Sequence, residues 1–543
     1  MRVTVPVRGR GERDATTKWR SLASQPAPRP TPAAGATFVP GTATTGAATP
    51  IRSPVVNLAA ALLHGGLGRP DAPALIGRRG TTTYGQLADA AARLATGLAD
   101  DGVQPGDRVA LVAGNDEAFV TGYLAVLHAG ATCAPLNPGS PPAALEAELA
   151  VVEPRLTLAA GSSAPVVTAA SQRLRTIDLD ALPAAGAPLA ERAPDDVAVL
   201  LFTSGTGGQP RAAQLTHANL AANIAEVQGH PGLAVERTDV TLGALPCFHI
   251  FGLNVVLGVA LAAGATTVLV DRFQPAPSAE LVRRHRVTIL AGVPTMFADW
   301  LDLDAAAAPP DTFASVRLAV SGAAELPEPV AAAFSTRFGV VLHQGYGLTE
   351  ASPIVTTTVL GPSPPRPGSI GRPLPGVEVR LVDADGADVL EGDPGEVWVR
   401  GPNVFAGYWR DDEATANALT DDGWLRTGDV AVLDDDGDLR LVDRRKDLVI
   451  VSGFNVYPAE VEDVLRAHPD VADAAVTGEA SPRTGETVVA YVQPKPGATP
   501  DPAALVTFCG KSLARYKCPT RVELLDELPR DEAGKLRRRA LPG

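Results

Sequence analysis

Cysteine is sparse. Cys133, Cys247, Cys509 and Cys518 are scattered through 543 residues, with no C-x-x-C pair and no Cys/His cluster. That excludes a disulfide framework and a zinc site of the usual spacing, and reduced thiols are the expected state. Positive charge is short as well. The formal net charge is −14, which argues against nucleic acid as the main partner, because a surface that binds a phosphate backbone is normally basic. No apolar stretch near Met1 resembles a secretory h-region, and Glu12 and Asp14 weaken an Arg-rich transit peptide. Long hydrophobic runs are nearly absent. Phe251 to Val270 carries no charge, but Gly252, Asn254, Gly258, Gly264, Thr266 and Thr267 interrupt it. It reads as a buried helix over about 252–262, a Gly-Ala turn and a strand over 266–270, not as a membrane span. The expected location is therefore cytoplasmic, with peripheral contact at a membrane surface left open. G-x-x-x-x-G-K-[ST] is missing too, which excludes the P-loop.

What is present suffices for a large core. Hydrophobic residues make up 45% of the chain, and a prior of about 150 residues per domain suggests about three or four folding units. Residues 1–52 are rich in Arg, Pro, Ala and Thr without apolar periodicity, and read as a disordered tail. From Pro54 the patterns alternate. Leu87, Ala91, Leu94 and Leu98 lie at helical spacing, 108–113 reads as a buried strand, 118–129 as a helix and 131–136 as extended. Similar units around 197–229, 251–270 and 287–300 argue for an α/β fold of parallel sheets flanked by helices. From about Gly376 the texture changes to short strands at 377–382, 395–399 and 439–442, separated by Asp-Gly turns. After Lys446 it changes again, to a compact α+β unit with strands at 449–451, 474–476 and 487–492 and a helix opening at Pro458.

Directly after the apolar run 197–202 comes Thr203-Ser-Gly-Thr-Gly-Gly-Gln-Pro-Arg211. Glycines allow backbone N–H groups to approach an anion, hydroxyls add donors and Arg211 adds fixed charge. Such a loop suits a nucleotide polyphosphate, and by itself it suits a polar turn equally well. Later segments break the tie: Gly345-Tyr-Gly-Leu-Thr-Glu350, Arg426-Thr-Gly-Asp429, Asp443-Arg-Arg-Lys-Asp447, and Leu528-Pro-Arg-Asp-Glu-Ala-Gly-Lys535.

In this order the set closely resembles the adenylate-forming superfamily of acyl-CoA synthetases, luciferases and adenylation domains, over about Val55 to Leu541. Bacterial long-chain fatty-acid–CoA ligases are the nearest match. After the tail at 1–52 that composition gives, the resemblance implies a large domain over 53–446 with a small β-barrel-like subdomain at 375–445, and a small mobile domain over 447–543. It implies ATP, Mg²⁺ and coenzyme A acting with a carboxylic acid, and it leaves a homodimer open.

The residue roles follow from the same resemblance. Thr203, Ser204, Gly205, Thr206, Gly207 and Arg211 would hold the phosphates, although Gly207, Arg211 and Ala212 stand where the family usually has Thr, Lys and Gly. Gly322, Ala323 and Ala324 would face the adenine, with Gly345, Tyr346 and Gly347 flanking it. Thr349 would contact the α-phosphate, and Glu350 and Thr206 would hold Mg²⁺. Asp429 and Arg444 would bind the ribose. Lys446 would be the hinge, Lys535 the adenylation lysine, and Ser452 and Gly453 would lie along CoA. His249 would border the acyl site, lined by the small uncharged segments 292–295 and 322–324. No Arg or Lys stands in those segments to meet a second carboxylate. The implied activity is a two-step fatty-acid–CoA ligase. A stand-alone adenylation enzyme that loads a carrier protein is the alternative. A degenerate nucleotide-binding protein is disfavoured by the retained Glu350, Asp429, Arg444 and Lys535.

Overall fold

The computed structural model describes residues 57–542, apart from 161–162, 164–166, 168–172, 204–209, 362–364, 391, 445–448, 452–453, 457, 482–484, 514 and 531–535. The expected disordered tail over 1–52 and the expected boundary at Lys446–Asp447 lie outside the described residues.

Two sheets build the large part. The first has six strands, in the spatial order Leu174–Ile177, Leu156–Ala160, Arg108–Val112, Thr132–Leu136, Val197–Thr203 and Arg211–Thr216. The first five run parallel. Val109 to Val112 and Ala198 to Leu201 are apolar throughout and fully buried, as a central parallel strand covered on both faces requires. The helix Tyr84–Asp100 starts at a capping box in which Thr83 and Gln86 bond reciprocally. It buries Leu87, Ala91, Leu94 and Leu98 along one stripe, as their spacing predicts. The last pair of the sheet is antiparallel, with Thr203 opposite Arg211. The strands on either side of the glycine- and hydroxyl-rich segment therefore pair with each other.

The second sheet follows one path of thirteen strands. Its parallel portion contains Pro73–Gly77, Thr266–Leu269, Val240–Gly243, Ile289–Gly292, Leu318–Ser321 and Leu342–Gly347. After Gly347 the chain turns back, and every further strand on that side is antiparallel: Ile354–Thr357, Ser369–Pro373, Leu439–Arg444, Leu425–Leu433, Gly395–Arg400 and Glu378–Val382. The short strands expected over 375–445 are thus hydrogen-bonded onto the main sheet through 354–373.

The charge-free stretch folds as expected in outline and differs in winding. Phe251–Gly258 is a π-helix, continued by an α-helix over Val259–Ala263, with Gly264 left-handed at its end. Among the described residues no helix is long and apolar enough to cross a membrane. In the last unit, the strands Phe454–Val456, Val449–Val451, Gly485–Pro494 and Val471–Ser481 lie side by side, and Arg521–Leu524 pairs with Gly485–Pro494. The helices Pro458–Arg466 and Pro502–Cys509 cover a core that includes Val461, Leu465, Val476, Val492 and Leu505.

Candidate active site

The segments singled out by sequence converge because of strand direction. Pro246–His249 follows the strand Val240–Gly243, and Val293–Thr295 follows Ile289–Gly292. Gly322 and Ala323 follow Leu318–Ser321, and Leu348–Glu350 follows Leu342–Gly347. These are the carboxyl ends of neighbouring parallel strands, where open α/β sheets bind ligands. A cleft of about 1580 Å³ lies there. A pocket for one small ligand spans roughly 300–1,000 Å³, so this one has room for a nucleotide and a second substrate.

One end of the cleft is charged. Arg211 Nε lies 3.0 Å from Asp411 Oδ2. Tyr408 Oη donates to Glu350 Oε1 at 2.7 Å. Burial, with the Glu350 carboxylate beside it, pushes the Tyr408 phenol far above its ordinary value, so it stays a protonated donor. Asp411 serves twice: Oδ1 accepts from Ala414 N at 2.9 Å and caps the helix Asp412–Ala418, while Oδ2 meets Arg211.

In the middle, Tyr346 Oη donates to Asp429 Oδ2 at 2.8 Å, with both residues buried. Asp429 N donates to Thr427 Oγ1 at 3.1 Å, and Thr427 donates in turn to Val397 O at 2.7 Å. Strand register sets residue 444 opposite Asp429. Gly322, Ala323, Gly345 and Gly347 form bare wall here. Ala323 has φ +66, a left-handed conformation that a non-glycine residue seldom adopts.

The other end is mostly apolar. Phe251, Gly252, Val293, Met296, Val320 and Ile354 line it, His249 is exposed at the side, and Asp271, Arg272 and Asp299 also line the cleft. The His249 ring packs on Phe248 with centroids 4.8 Å apart. A Cβ on Gly322 would lie 2.9 Å from Phe251 Cε1, so the Phe251 ring lies hard against that glycine. Asn115 fixes the approach to His249: its amide donates to Leu245 O at 2.6 Å and its carbonyl accepts from Cys247 N at 2.8 Å.

Of the sequence candidates, Thr203, Arg211, His249, Gly322, Ala323, Gly345, Tyr346, Gly347, Thr349, Glu350 and Asp429 all line this one cleft. Ala324 stands beside it, half-buried, rather than in its wall. Ser204, Gly205, Thr206, Gly207, Lys446, Ser452, Gly453 and Lys535, and the side chain of Arg444, lie outside the described residues. Sequence reasoning missed Tyr408, Asp411 and Asn115. An Asp ahead of a helix signals a cap, but nothing local announces a partner some 200 positions away.

Residues 65–409 match the family described as AMP-binding enzyme, and 460–535 match the AMP-binding enzyme C-terminal domain. The chain is similar to a feruloyl-CoA synthase of Amycolatopsis sp, 39% identical over 463 residues that cover 84% of this chain and 92% of that one. It is also similar to a long-chain-fatty-acid–CoA ligase of Yersinia pestis, 40% identical over 354 residues, 64% of this chain and 61% of that one. Among solved structures, that of ATP-bound MatB from Rhodopseudomonas palustris superposes with a TM-score of 0.84 at 33% identity, covering 90% of this chain and 98% of that one.

Proposed function

The chain belongs to the AMP-binding enzyme family and is an ATP-dependent, AMP-forming acid–CoA ligase; from that premise we propose that its acid is a monocarboxylic acid with an unbranched apolar body, a medium- or long-chain fatty acid. The observation that supports this reading is the cleft itself. Polar groups suited to a nucleotide, Tyr346, Thr349, Glu350 and Asp429, and the apolar side chains of Phe251, Val293, Met296 and Val320 line one and the same cleft.

The chemistry joins two anions. A carboxylate oxygen attacks the α-phosphorus in line, the bond to the bridging oxygen breaks and pyrophosphate leaves. CoA sulfur then attacks the acyl carbon of the adenylate and AMP leaves. In this reading Arg211 and the loop Thr203–Gly207 hold the outer phosphates, and Tyr346 and Asp429 hold the adenosine. Thr349 meets the α-phosphate. Lys535 offsets charge between carboxylate and phosphate during the first step, and the small domain turns about Lys446 before the second.

The residues fit Mg²⁺. Glu350 lines the cleft as one hard oxygen donor already oriented by Tyr408, and Mg²⁺ characteristically takes one or two carboxylates together with phosphate oxygens and water. Among the described residues no group of three or more His, Cys, Asp or Glu could hold a metal, which accords with an ion that arrives with the phosphates. Bound there, Mg²⁺ would neutralise phosphate charge, with Glu350, and Thr206 by resemblance, as its protein ligands.

One observation favours a second reading, an aryl-propenoic acid. The feruloyl-CoA synthase similarity extends over 84% of the chain. CoA-dependent AMP formation with a panel of alkanoates and hydroxycinnamates separates the two. Each buried CH₂ contributes about 0.8 kcal/mol, so kcat/KM should rise from acetate through octanoate. A maximum at acetate or at an aryl acid rejects the fatty-acid assignment.

A further inference from the structure

The turn that carries Thr349 and Glu350 is held from outside its own sheet. It leaves the strand Leu342–Gly347, makes one 3₁₀ turn over Thr349–Ala351, passes through Ser352 at φ +69 and re-enters the sheet at Ile354. Its carbonyls are taken by donors from distant parts of the chain. Glu350 O accepts from Phe405 N at 2.8 Å. Ala351 O accepts from Asn403 Nδ2 at 2.9 Å, Ser352 O from Asn254 Nδ2 at 2.8 Å, and Ile354 O from Asn223 Nδ2 at 2.9 Å. The three asparagines are 0%, 2% and 0% exposed. They stand 52, 98 and 131 positions from the carbonyls they serve.

Asn254 has a second attachment. Its amide also donates to Leu220 O at 3.2 Å, on the helix that carries Asn223. It sits in the π-helix three residues after Phe251, which walls the apolar end of the cleft. One rigid element therefore touches the acid end through Phe251 and holds the Glu350 turn through Asn254.

We propose that Asn223, Asn254 and Asn403 are positioning residues for the adenylation half-reaction, and that Asn254 couples the acid wall to the turn bearing Thr349 and Glu350. Buried carbonyls demand donors, and a side-chain amide supplies one with a fixed direction. In-line transfer depends on the placement of the reacting groups, and a displacement of about 1 Å can cost ~10²-fold in rate. In the CoA half-reaction the acyl carbon–oxygen bond breaks and AMP leaves with charge on its α-phosphate, but no bond to phosphorus is made or broken and pyrophosphate has already gone, so in-line placement around the phosphorus no longer limits the rate. Loosening this turn should therefore spare it.

The proposal rests on the ligase reading, and its test separates the two. Asn254→Leu keeps the number and branching of the side-chain heavy atoms and removes the donor. With an acid that the wild type accepts, acid-dependent pyrophosphate release in a single turnover should fall about 10- to 100-fold. Acyl-CoA formation from supplied acyl-adenylate should stay within about twofold. Asn403→Ala, run in parallel, should show the same split and carries the test if Asn254→Leu does not fold. Wild-type activity across the panel examines the ligase reading, whereas the ratio of variant to wild type in each half-reaction examines the brace. Equal losses in both half-reactions would reduce the asparagines to fold supports and overturn the proposal. Unchanged adenylation would overturn it as well.

Discussion

The two ends of the cleft are built by different forces. At the end assigned here to the nucleotide, directed bonds join side chains from separate segments: Arg211 to Asp411, Tyr408 to Glu350, Tyr346 to Asp429. At the acid end, shape comes from close packing around glycines. A Cβ on Gly252 would lie 2.2 Å from Pro246 O, and one on Gly322 would lie 2.9 Å from Phe251 Cε1. Directed bonds fail when one partner is deleted, because the other is left buried and unpaired. Packed walls fail when volume is added, and then mainly for the ligand that needs that volume. Substitutions at the first end should therefore damage chemistry with every acid, and substitutions at the second should reorder the acids.

The largest effect should come from Glu350→Gln. It keeps an oxygen for Tyr408 and loses the charge facing the phosphates. Losing one preorganised electrostatic contact costs about 10²–10³ in rate. ATP–pyrophosphate exchange should fall by that factor while the ranking of acids is preserved. A changed ranking would mean that the two ends are not separable.

Asp429→Ala comes next. It removes the acceptor of Tyr346 and the carboxylate assigned to the ribose. A hydrogen bond to a charged group is worth about 1.5–3 kcal/mol, so KM for ATP should rise at least about tenfold. KM for the acid should hold, and steady-state kinetics with each substrate varied in turn will show it.

Gly322→Ala tests the opposite end. The added methyl must displace the Phe251 ring, and a ring can give by a few tenths of an ångström. KM for the longest acid should rise about three- to tenfold, in keeping with a packing cost of roughly 1 kcal/mol. KM for ATP should rise less, because Gly322 also stands in the wall beside Gly345 and Tyr346. An equal rise for both substrates would erase the distinction between the ends.

The smallest effect concerns stability. Burial pushes the Glu226 carboxyl up to about 7, opposed by the hydrogen bond from Asn223. A raised carboxylate contributes stability that is fully present below its unfolded value, near 4.5, and is lost as pH rises toward 7. Glu226→Gln should abolish that loss. The Tm of the variant should exceed that of wild type at pH 8, with the gap closing by pH 5. Parallel Tm curves would show that Glu226 does not titrate in this range. Activity at either end of the cleft should be little affected.

Much of the nucleotide end was legible because its residues cluster locally. Tyr346, Thr349 and Glu350 fall within five consecutive residues, and Arg426 and Asp429 within four. The small residues of the acid end were legible as segments, but their contacts were not. That Gly322 meets Phe251, 71 positions earlier, follows from strand order alone. Ala323 gave no sign of its left-handed backbone, since alanine carries no preference for it. The stretch 251–258 showed a helix by its composition, while nothing in its residue types announced the π winding.

By itself the sequence determined which segments form strands and helices, where the apolar stripes face, and which chemical groups are available for binding a nucleotide. Those depend on residue type and on periods of two or 3.6, which act over a few neighbours. Only the tertiary structure decided that four strand ends open into one cleft, that Asp411 meets Arg211, and that Asn223, Asn254 and Asn403 hold the Glu350 turn. Those pairings join residues tens to hundreds of positions apart, and it is the order and direction of strands in the sheets, set by burial of whole faces, that brings them within reach.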